Sequence, residues 1–509
     1  MQGKKDHQEK LFVNFQLSNY VPADNFYRQL KRILNLDFLY KSTSQYYGKE
    51  GQKSIDPVVF MKLMLVGYLE NLNSDRRIIG TSRMRMDILY FLGYDLDEEL
   101  PWHSTLSRTR KLYGEEQFTN IFKQVLKLCI DEGLISGKRQ SVDSALIQAN
   151  ASLNKMAERQ IIEIMKDADA YSEELDANSD DDAAEPTKSK DQGDDKKTSY
   201  ANDTHYSPSD PDARLTKKPG KPYDLYYRSQ VSVDTASHFI THIQAFPGNQ
   251  ADSACLPEVL KHTVENMQEN NIQVKEILAD TGYSSGEAIQ ALIDHNLEGY
   301  IPNTPSYKPS REGFTYDLEN DRYVCSNGKY LTFKGISRHQ KRKAIFSKTY
   351  QTKLCDCRDC PLKITCAGKS GYKRLYDSTD KPLYDYMQQR METPKAKIMS
   401  RLRASTVEPV IGSLVNYTGM KRINSKGIVQ ANKCMTMAAV AYNLKKLLKY
   451  KSSLAQNNAN AIGKSLLITF YRLSVCIKLW LRPTLSFSFN QYFKERFANL
   501  TISGFIITG

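Results

Sequence analysis

Several things are missing from this 509-residue chain. No run approaches the ~20 apolar residues that a membrane-spanning helix needs, and Lys464, Arg472 and Lys478 interrupt the most apolar stretch, near the C-terminus. The first residues, Met1-Gln2-Gly3-Lys4-Lys5-Asp6-His7, hold no apolar signal core, so a cytoplasmic location is the default expectation. No internal repeat is visible. The nine cysteines are spread through a chain far too long for a disulfide-built mini-protein. What is there suits a globular protein. Hydrophobic residues make up 40% and aromatics 10%, enough for sizeable cores and too much for a wholly disordered chain. At roughly 100–200 residues per domain, two to four domains are expected.

Charge is unevenly spread. The chain carries 71 Lys+Arg against 58 Asp+Glu, a net +13. Twelve acidic and four basic residues fall between Asp167 and Lys197, a local −8, which leaves +21 on the rest. Such an excess is the footprint of a polyanion, usually nucleic acid; the alternative is a solvated basic surface without a partner.

Along the chain, the texture up to residue 135 is helical. Asp56-Pro57 sets a cap and first turn, and Val58, Val59, Met61, Leu63, Met64 and Leu69 include pairs at three- and four-residue spacing. Ser74-Asp75-Arg76-Arg77 and an apolar run over 88–92 follow, then a third helix from Trp102-His103-Ser104, with Ser104 as its cap. Arg76, Arg77, Arg108 and Arg110 lie on turns and helix starts, where phosphates are met; this predicts a DNA-binding domain over 1–135, with a bundle that binds protein as the other reading. From Ser141 the pattern becomes mixed. Strands are expected over 140–147, 226–234, 237–246, 274–280 and 299–302, with Thr235-Ala236-Ser237 as a hairpin turn, and helices over 149–165, 254–270 and 285–295. This is an α/β core over 136–304 with an acidic, disordered insertion at about 167–199. Residues 305–380, rich in Tyr, Lys and Cys, read as an irregular insertion, and 381–450 return to helix. Residues 451–509 are a tail without a readable role.

Three carboxylates stand out by position. Asp143 lies inside a strand, Asp280 at the C-terminal end of another, and Glu408 on a helix near Arg401 and Arg403. Strand ends line the functional crevice of α/β sheets. Each residue taken alone is more often a cap or a turn. As a set they have chemical value, because converging carboxylates repel unless a divalent cation such as Mg²⁺ or Mn²⁺ sits between them. Two such ions can serve phosphodiester chemistry.

Four segments together resemble bacterial insertion-sequence transposases of the DDE class. Asp143-Ser-Ala-Leu-Ile-Gln-Ala-Asn-Ala-Ser is similar to the family's first-aspartate segment, and Leu278-Ala-Asp280-Thr-Gly-Tyr-Ser-Ser-Gly-Glu to the second. Val407-Glu408-Pro-Val-Ile-Gly-Ser-Leu resembles the glutamate segment. Asp56-Pro-Val-Val-Phe-Met-Lys-Leu, with Ser74-Asp-Arg-Arg and His103-Ser-Thr-Leu-Ser-Arg, resembles the N-terminal domain. The resemblance spans roughly residues 10–450. It implies an RNase H-like core holding Mg²⁺ (or Mn²⁺) on Asp143, Asp280 and Glu408, and an insertion between the last core strand and the Glu-bearing helix. It also implies binding to terminal inverted repeats, cleavage and strand transfer into target DNA, and a homodimer on paired ends. Relatives carry a tyrosine and an arginine before the glutamate and a lysine two turns after it; here position 404 is Ala and position 415 is Val, with Lys421 and Arg422 the next cations. Arg401, seven residues before Glu408, shares its helix face and is a candidate phosphate contact. A relic kept as a DNA-binding repressor, and a nuclease without strand transfer, remain the alternatives.

Five cysteines cluster. Cys355, Cys357, Cys360 and Cys366 fall within twelve residues, with Cys325 upstream. The Cys-x₂-Cys spacing of 357 and 360 suits one tetrahedral zinc, so Cys355, Cys357, Cys360 and Cys366 are the candidate ligands. Unmetallated thiols are the bland reading. Cys129, Cys255, Cys434 and Cys476 sit among apolar neighbours and read as core. His103 is expected to cap or pack a helix, Asp210, Asp212 and Asp234 to make turns, and at least one of Tyr223, Tyr226 and Tyr227 to enter the core.

Overall fold

The computed structural model describes residues 15–48, 50, 54–158, 201–217, 220, 222–305, 307–317, 319–338 and 346–453. The acidic stretch 167–199, Cys476 and nearly all of the tail lie outside the described residues. The chain divides into two compact units, Met1–Lys446 and Leu447–Gly509; the first is described below.

Residues 17–131 are helical: α1 (Leu17–Tyr20), α2 (Phe26–Ile33), α3 (Phe38–Ser42), α4 (Pro57–Leu69), α5 (Asp75–Arg83), α6 (Met86–Leu92), α7 (His103–Leu112) and α8 (Glu115–Asp131). Asp56 caps α4 as expected, accepting from the Val58 and Val59 N–H groups at 2.7 and 3.0 Å. The Pro57 ring presets the first turn. The helix has no polar stripe, and Val58, Phe60, Met61, Leu63, Leu65 and Val66 are buried around its whole circumference, so it is the central post against which α5 and α6 pack. α7 begins two residues earlier than its sequence suggested. Trp102 occupies the cap position without a side-chain bond, and the Ser104 hydroxyl accepts from Arg108 instead.

The core sheet is built from β1 (Arg139–Gln148), β4 (Arg214–Thr216), β5 (Asp224–Asp234), β6 (Ile240–Pro247), β7 (Glu276–Leu278) and β8 (Glu298–Tyr300), in the order β4-β5-β1-β7-β8, with β6 also on β5. β1, β5 and β6 form an antiparallel meander, while β7 and β8 run parallel to β1. The expected hairpin is present: Asp234 accepts from the N–H groups of Ala236 and Ser237 in its turn. Helices α9 (Asp252–Gln268) and α10 (Gly286–Asp294) join the strands. Between β1 and β4 lies a two-stranded ribbon, β2 (Ala157–Glu158) with β3 (His205–Tyr206). The helix expected from Ala149 is therefore corrected over 149–158, where the chain makes a single 3-10 turn and enters β2. The helical spacing there is carried by too few apolar residues to fix a helix.

Residues 305–380 need a larger correction. They hold an antiparallel five-stranded sheet, ordered β13-β12-β11-β10-β9: β9 (Phe314–Asp317), β10 (Arg322–Cys325), β11 (Tyr330–Arg338), β12 (Phe346–Gln351) and β13 (Arg374–Ser378). Two short helices, α11 (Leu354–Arg358) and α12 (Lys363–Cys366), stand between β12 and β13. Tyr323, Leu331, Tyr350 and Leu375 form its buried cluster. Each strand contributes about one such residue, too weak a period to read in sequence. Tyrosines can do this work because buried hydroxyls find carboxylates: Tyr323 donates to Asp377 and Tyr350 to Asp321.

α13 (Lys381–Met391) and α14 (Pro394–Tyr417) lead back to the core sheet, and a further helix starts at residue 428. Asp210 and Asp212 anchor that start, accepting from the Gly427 and Ile428 N–H groups at 2.9 Å each, and the buried Tyr227 hydroxyl also donates to Asp210. These aspartates have a structural use and no visible chemistry. No helix among the described residues is long and apolar enough to cross a membrane.

Candidate active site

The site begins with a register. Parallel pairing sets Ser141 of β1 beside Leu278 of β7. Two residues further along each strand direction stand Asp143 and Asp280, so the two carboxylates leave neighbouring chains at the same level. Adjacent strands are about 4.8 Å apart. At Asp280 the chain turns out of the sheet into a short 3-10 turn, Thr281–Tyr283, and the Asp280 carboxylate accepts from the Gly282 N–H at 2.9 Å. A Cβ at position 282 would stand 3.0 Å from the same Asp280 oxygen, which is why the Asp-Thr-Gly turn ends in glycine.

Glu408 comes from α14. The buried stripe of that helix runs through Ala396, Met399, Val407, Val410 and Leu414. Arg403 lies in phase with it, four residues from Met399 and from Val407, and so points towards the sheet. Its guanidinium reaches Asp143 Oδ2 at 2.9 Å with Nη1 and Glu408 Oε1 at 3.2 Å with Nη2. The Arg403 and Asp143 side chains are only 17% and 16% exposed, whereas Glu408 is 59% exposed. Asp143 Oδ1 accepts from the Ser144 N–H at 2.7 Å. Burial raises the Asp143 pKa above the usual carboxylate value. The Ser144 N–H opposes the shift, the Asp280 charge adds to it, and Arg403 opposes it again.

A fourth acid lies near this corner, its partner Arg228 also reaching the Ser144 hydroxyl at 3.3 Å. Asp252, at the start of α9, receives Arg228 at 2.8 Å on each oxygen and Gln230 at 2.7 Å. Gln230 in turn accepts from the buried Tyr283 hydroxyl. That phenol is pushed up by burial first and then by the charges of Asp252, Asp143 and Asp280. Sequence reading missed Asp252, Arg228 and the position of Arg403. Only Arg403 had a usable signal, its phase on the apolar stripe of α14.

Asp143, Asp280 and Glu408 are thus gathered at one end of the core sheet, with Arg403 between the first and the third. Among the described residues no three His, Cys, Asp or Glu side chains converge closely enough to grip an ion as they stand. The cations are divided. Arg76, Arg77, Arg108, Arg401, Lys421 and Arg422 are exposed. Arg76 donates to His103, which stacks on Trp102. Arg110, expected to meet DNA, is buried at 8% exposure, paired with Asp75 at 2.5 Å and touching Met64 Sδ. Its charge is spent inside the helical bundle. Arg422 meets the end of β1, bridging to Gln148 and donating to Asn150, and the Ile423 N–H donates to the Gln148 carbonyl. A cavity of about 530 Å³ lined by Tyr68, Asn73, Arg110, Arg422 and Gln430 includes none of the three acids.

The clustered cysteines differ in exposure. Cys357 is buried and Cys355 exposed. The Cys366 thiol is raised by burial, lowered by Lys373, and raised again by Cys357, Cys325 and Cys360. Asn327, in the turn after Cys325, donates to Cys360 Sγ at 3.6 Å. The Asn327 contact brings the turn after Cys325 to Cys360, while Cys355, favoured by spacing, is exposed. Cys129, Cys255 and Cys434 are buried, as expected.

Comparison with known proteins adds the family. Residues 15–112 match a transposase domain of the DUF772 type, and residues 324–448 match a transposase DDE domain. The two matches together are consistent with a DDE-class insertion-sequence transposase. The first match contains Arg76, Arg77, Arg108 and Arg110; the second contains the cysteine cluster, Arg403 and Glu408. Asp143 and Asp280 lie outside both. No curated protein matches the chain. Among solved structures, a piggyBac transposase synaptic complex with hairpin DNA has 11% identity and a TM-score of 0.32, over 94% of this chain and 84% of that one. A pre-cleavage Mos1 transpososome has 9% identity and a TM-score of 0.16, over 52% and 64%. The Mos1 mariner paired-end complex with Mn has 10% identity and a TM-score of 0.16, over 58% and 78%. The reading below rests on the family matches and the geometry.

Proposed function

We propose that this DDE-class chain binds the terminal inverted repeats of its own insertion sequence, cleaves DNA there with a divalent metal, and joins the freed ends to target DNA as a homodimer on paired ends. The observation that carries it is the shared level of Asp143 and Asp280 on β1 and β7, with Glu408 tied to Asp143 through Arg403. The strand order, an antiparallel meander followed by two parallel strands, supports an RNase H-like core. On this reading residues 1–135 bind DNA, 136–304 and 381–450 form the catalytic core, and 305–380 are its insertion.

The donor set fits Mg²⁺ or Mn²⁺. It is all carboxylate oxygen, and its excess charge has drawn in a cation of the chain's own, Arg403. Asp143, Asp280 and Glu408 would hold the metal, which when bound offsets charge on the attacking and leaving oxygens of a phosphodiester exchange. The chain itself holds Asp143 on β1 and Asp280 in the turn just after β7, limits water at Asp143 by burial, and presents exposed Arg76, Arg77, Arg108, Arg401, Lys421 and Arg422 to phosphates. We also propose that Cys325, Cys357, Cys360 and Cys366 take a structural zinc, because a soft thiolate set selects that ion and would brace a small sheet.

The test is to incubate the purified protein with a DNA fragment spanning its own gene and flanks, with Mg²⁺ or with EDTA. Metal-dependent nicks at paired inverted repeats, lost in Asp280→Ala, are expected. End binding without any nick would favour a repressor relic, and nicks without joined products a simple nuclease.

A further inference from the structure

Asp143 has both oxygens in use. Oδ1 takes the Ser144 N–H at 2.7 Å and Oδ2 takes Arg403 Nη1 at 2.9 Å. The same guanidinium holds Glu408 with its other nitrogen at 3.2 Å. Its phase on the buried stripe of α14 aims it there, and at 17% exposure it is largely withdrawn from solvent. A planar fork of N–H donors suits two carboxylates that would otherwise repel, and it competes with a metal for the same oxygen and the same charge.

We propose that Arg403 is a placeholder cation. In the metal-free protein it bridges Asp143 and Glu408, fastening α14 to β1, and a divalent ion binds at Asp143 only when Arg403 lets go. Arg403 is thus a positioning residue that sets how readily the corner loads. This rests on the metal reading above. It goes beyond that reading by giving the corner a resting state and a built-in competitor. It also accounts for the absence of a converged ligand set: the arginine stands between two of the three acids.

The experiment uses the full-length protein without DNA and Mn²⁺ as the probe, with free Mn²⁺ read by electron paramagnetic resonance and the metal-free melting temperature read alongside. Arg403→Met keeps the length of the side chain and loses its charge. Arg403→Lys keeps the charge but loses the fork. Expected is Mn²⁺ binding about tenfold tighter in Arg403→Met than in the unaltered chain, with Arg403→Lys between them. The metal-free melting temperature should follow the opposite order. An arginine with only a structural role would weaken Mn²⁺ binding when removed. Equal or weaker binding in Arg403→Lys and Arg403→Met overturns the placeholder. If the unaltered chain binds Mn²⁺ and Asp143→Asn does not, the metal reading survives that failure. If no folded form binds Mn²⁺, both readings fall together.

Discussion

Two corners of this molecule gather metal-seeking groups, and they are built in opposite ways. The carboxylate corner joins residues from β1, the end of β7 and α14, separated by more than a hundred positions each, and neutralises them with an arginine of the chain's own. Three of the thiols proposed for zinc come from one short segment, 357–366, and the fourth, Cys325, from the end of β10. The first corner depends on the global fold and the second mostly on local chain. A change at the first should therefore remove chemistry while sparing the fold, whereas a change at the second should loosen the insertion.

The largest contrast is catalytic. Asp143→Ala, Asp280→Ala or Glu408→Ala should each leave no detectable DNA cleavage while end binding in a gel-shift assay stays near that of the unaltered protein; retained cleavage in any of them would detach that residue from the corner. Next is the thiol corner. If the proposed zinc is bound, Cys325→Ser should purify without it and melt lower than the unaltered chain, while Cys355→Ser keeps its metal. The reverse pattern, read by metal analysis, would restore the ligand set that spacing alone suggested.

The same contrast of inward and outward charge sorts the arginines of the helical domain. Arg110→Ala strands Asp75 and should cost about 3–5 kcal/mol of stability in denaturant unfolding. Arg77→Ala should change stability by less than about 0.5 kcal/mol and weaken DNA binding, lowering the salt slope by about 1. The smallest effect concerns pH. Asp143 has a raised folded-state pKa, so its ionised form costs stability above that pKa, and stability is lost as pH rises from the unfolded value through the folded one. Without metal, the melting temperature of the unaltered chain should therefore fall more between about pH 4 and about pH 7 than that of Asp143→Asn, which cannot ionise there. Thermal scans at the two pH values decide it.

Much of this was readable from the residues, and the failures have physical causes. Asp56-Pro57 announced α4 because capping is local, and the β5–β6 hairpin followed from alternation. The three acids could be named from their surroundings, but their shared level needed the β1–β7 register, which no spacing encodes. The insertion sheet was invisible because its strands are short and its core is made of tyrosines paired with aspartates. Arg110 looked like a phosphate contact because a charged residue's burial is set by a distant partner, here Asp75. Arg401 was chosen over Arg403 because it shares a face with Glu408, yet that face is exposed, and the stripe through Met399 and Val407 carries Arg403 instead.

The most direct measurement is manganese anomalous scattering from crystals of the DNA-free protein, collected before and after a Mn²⁺ soak. The account predicts a manganese peak against Asp143 and Asp280, with Arg403 bonded to Asp143 before the soak and turned away after it. A peak elsewhere, or one at Asp143 with Arg403 still in place, would contradict it.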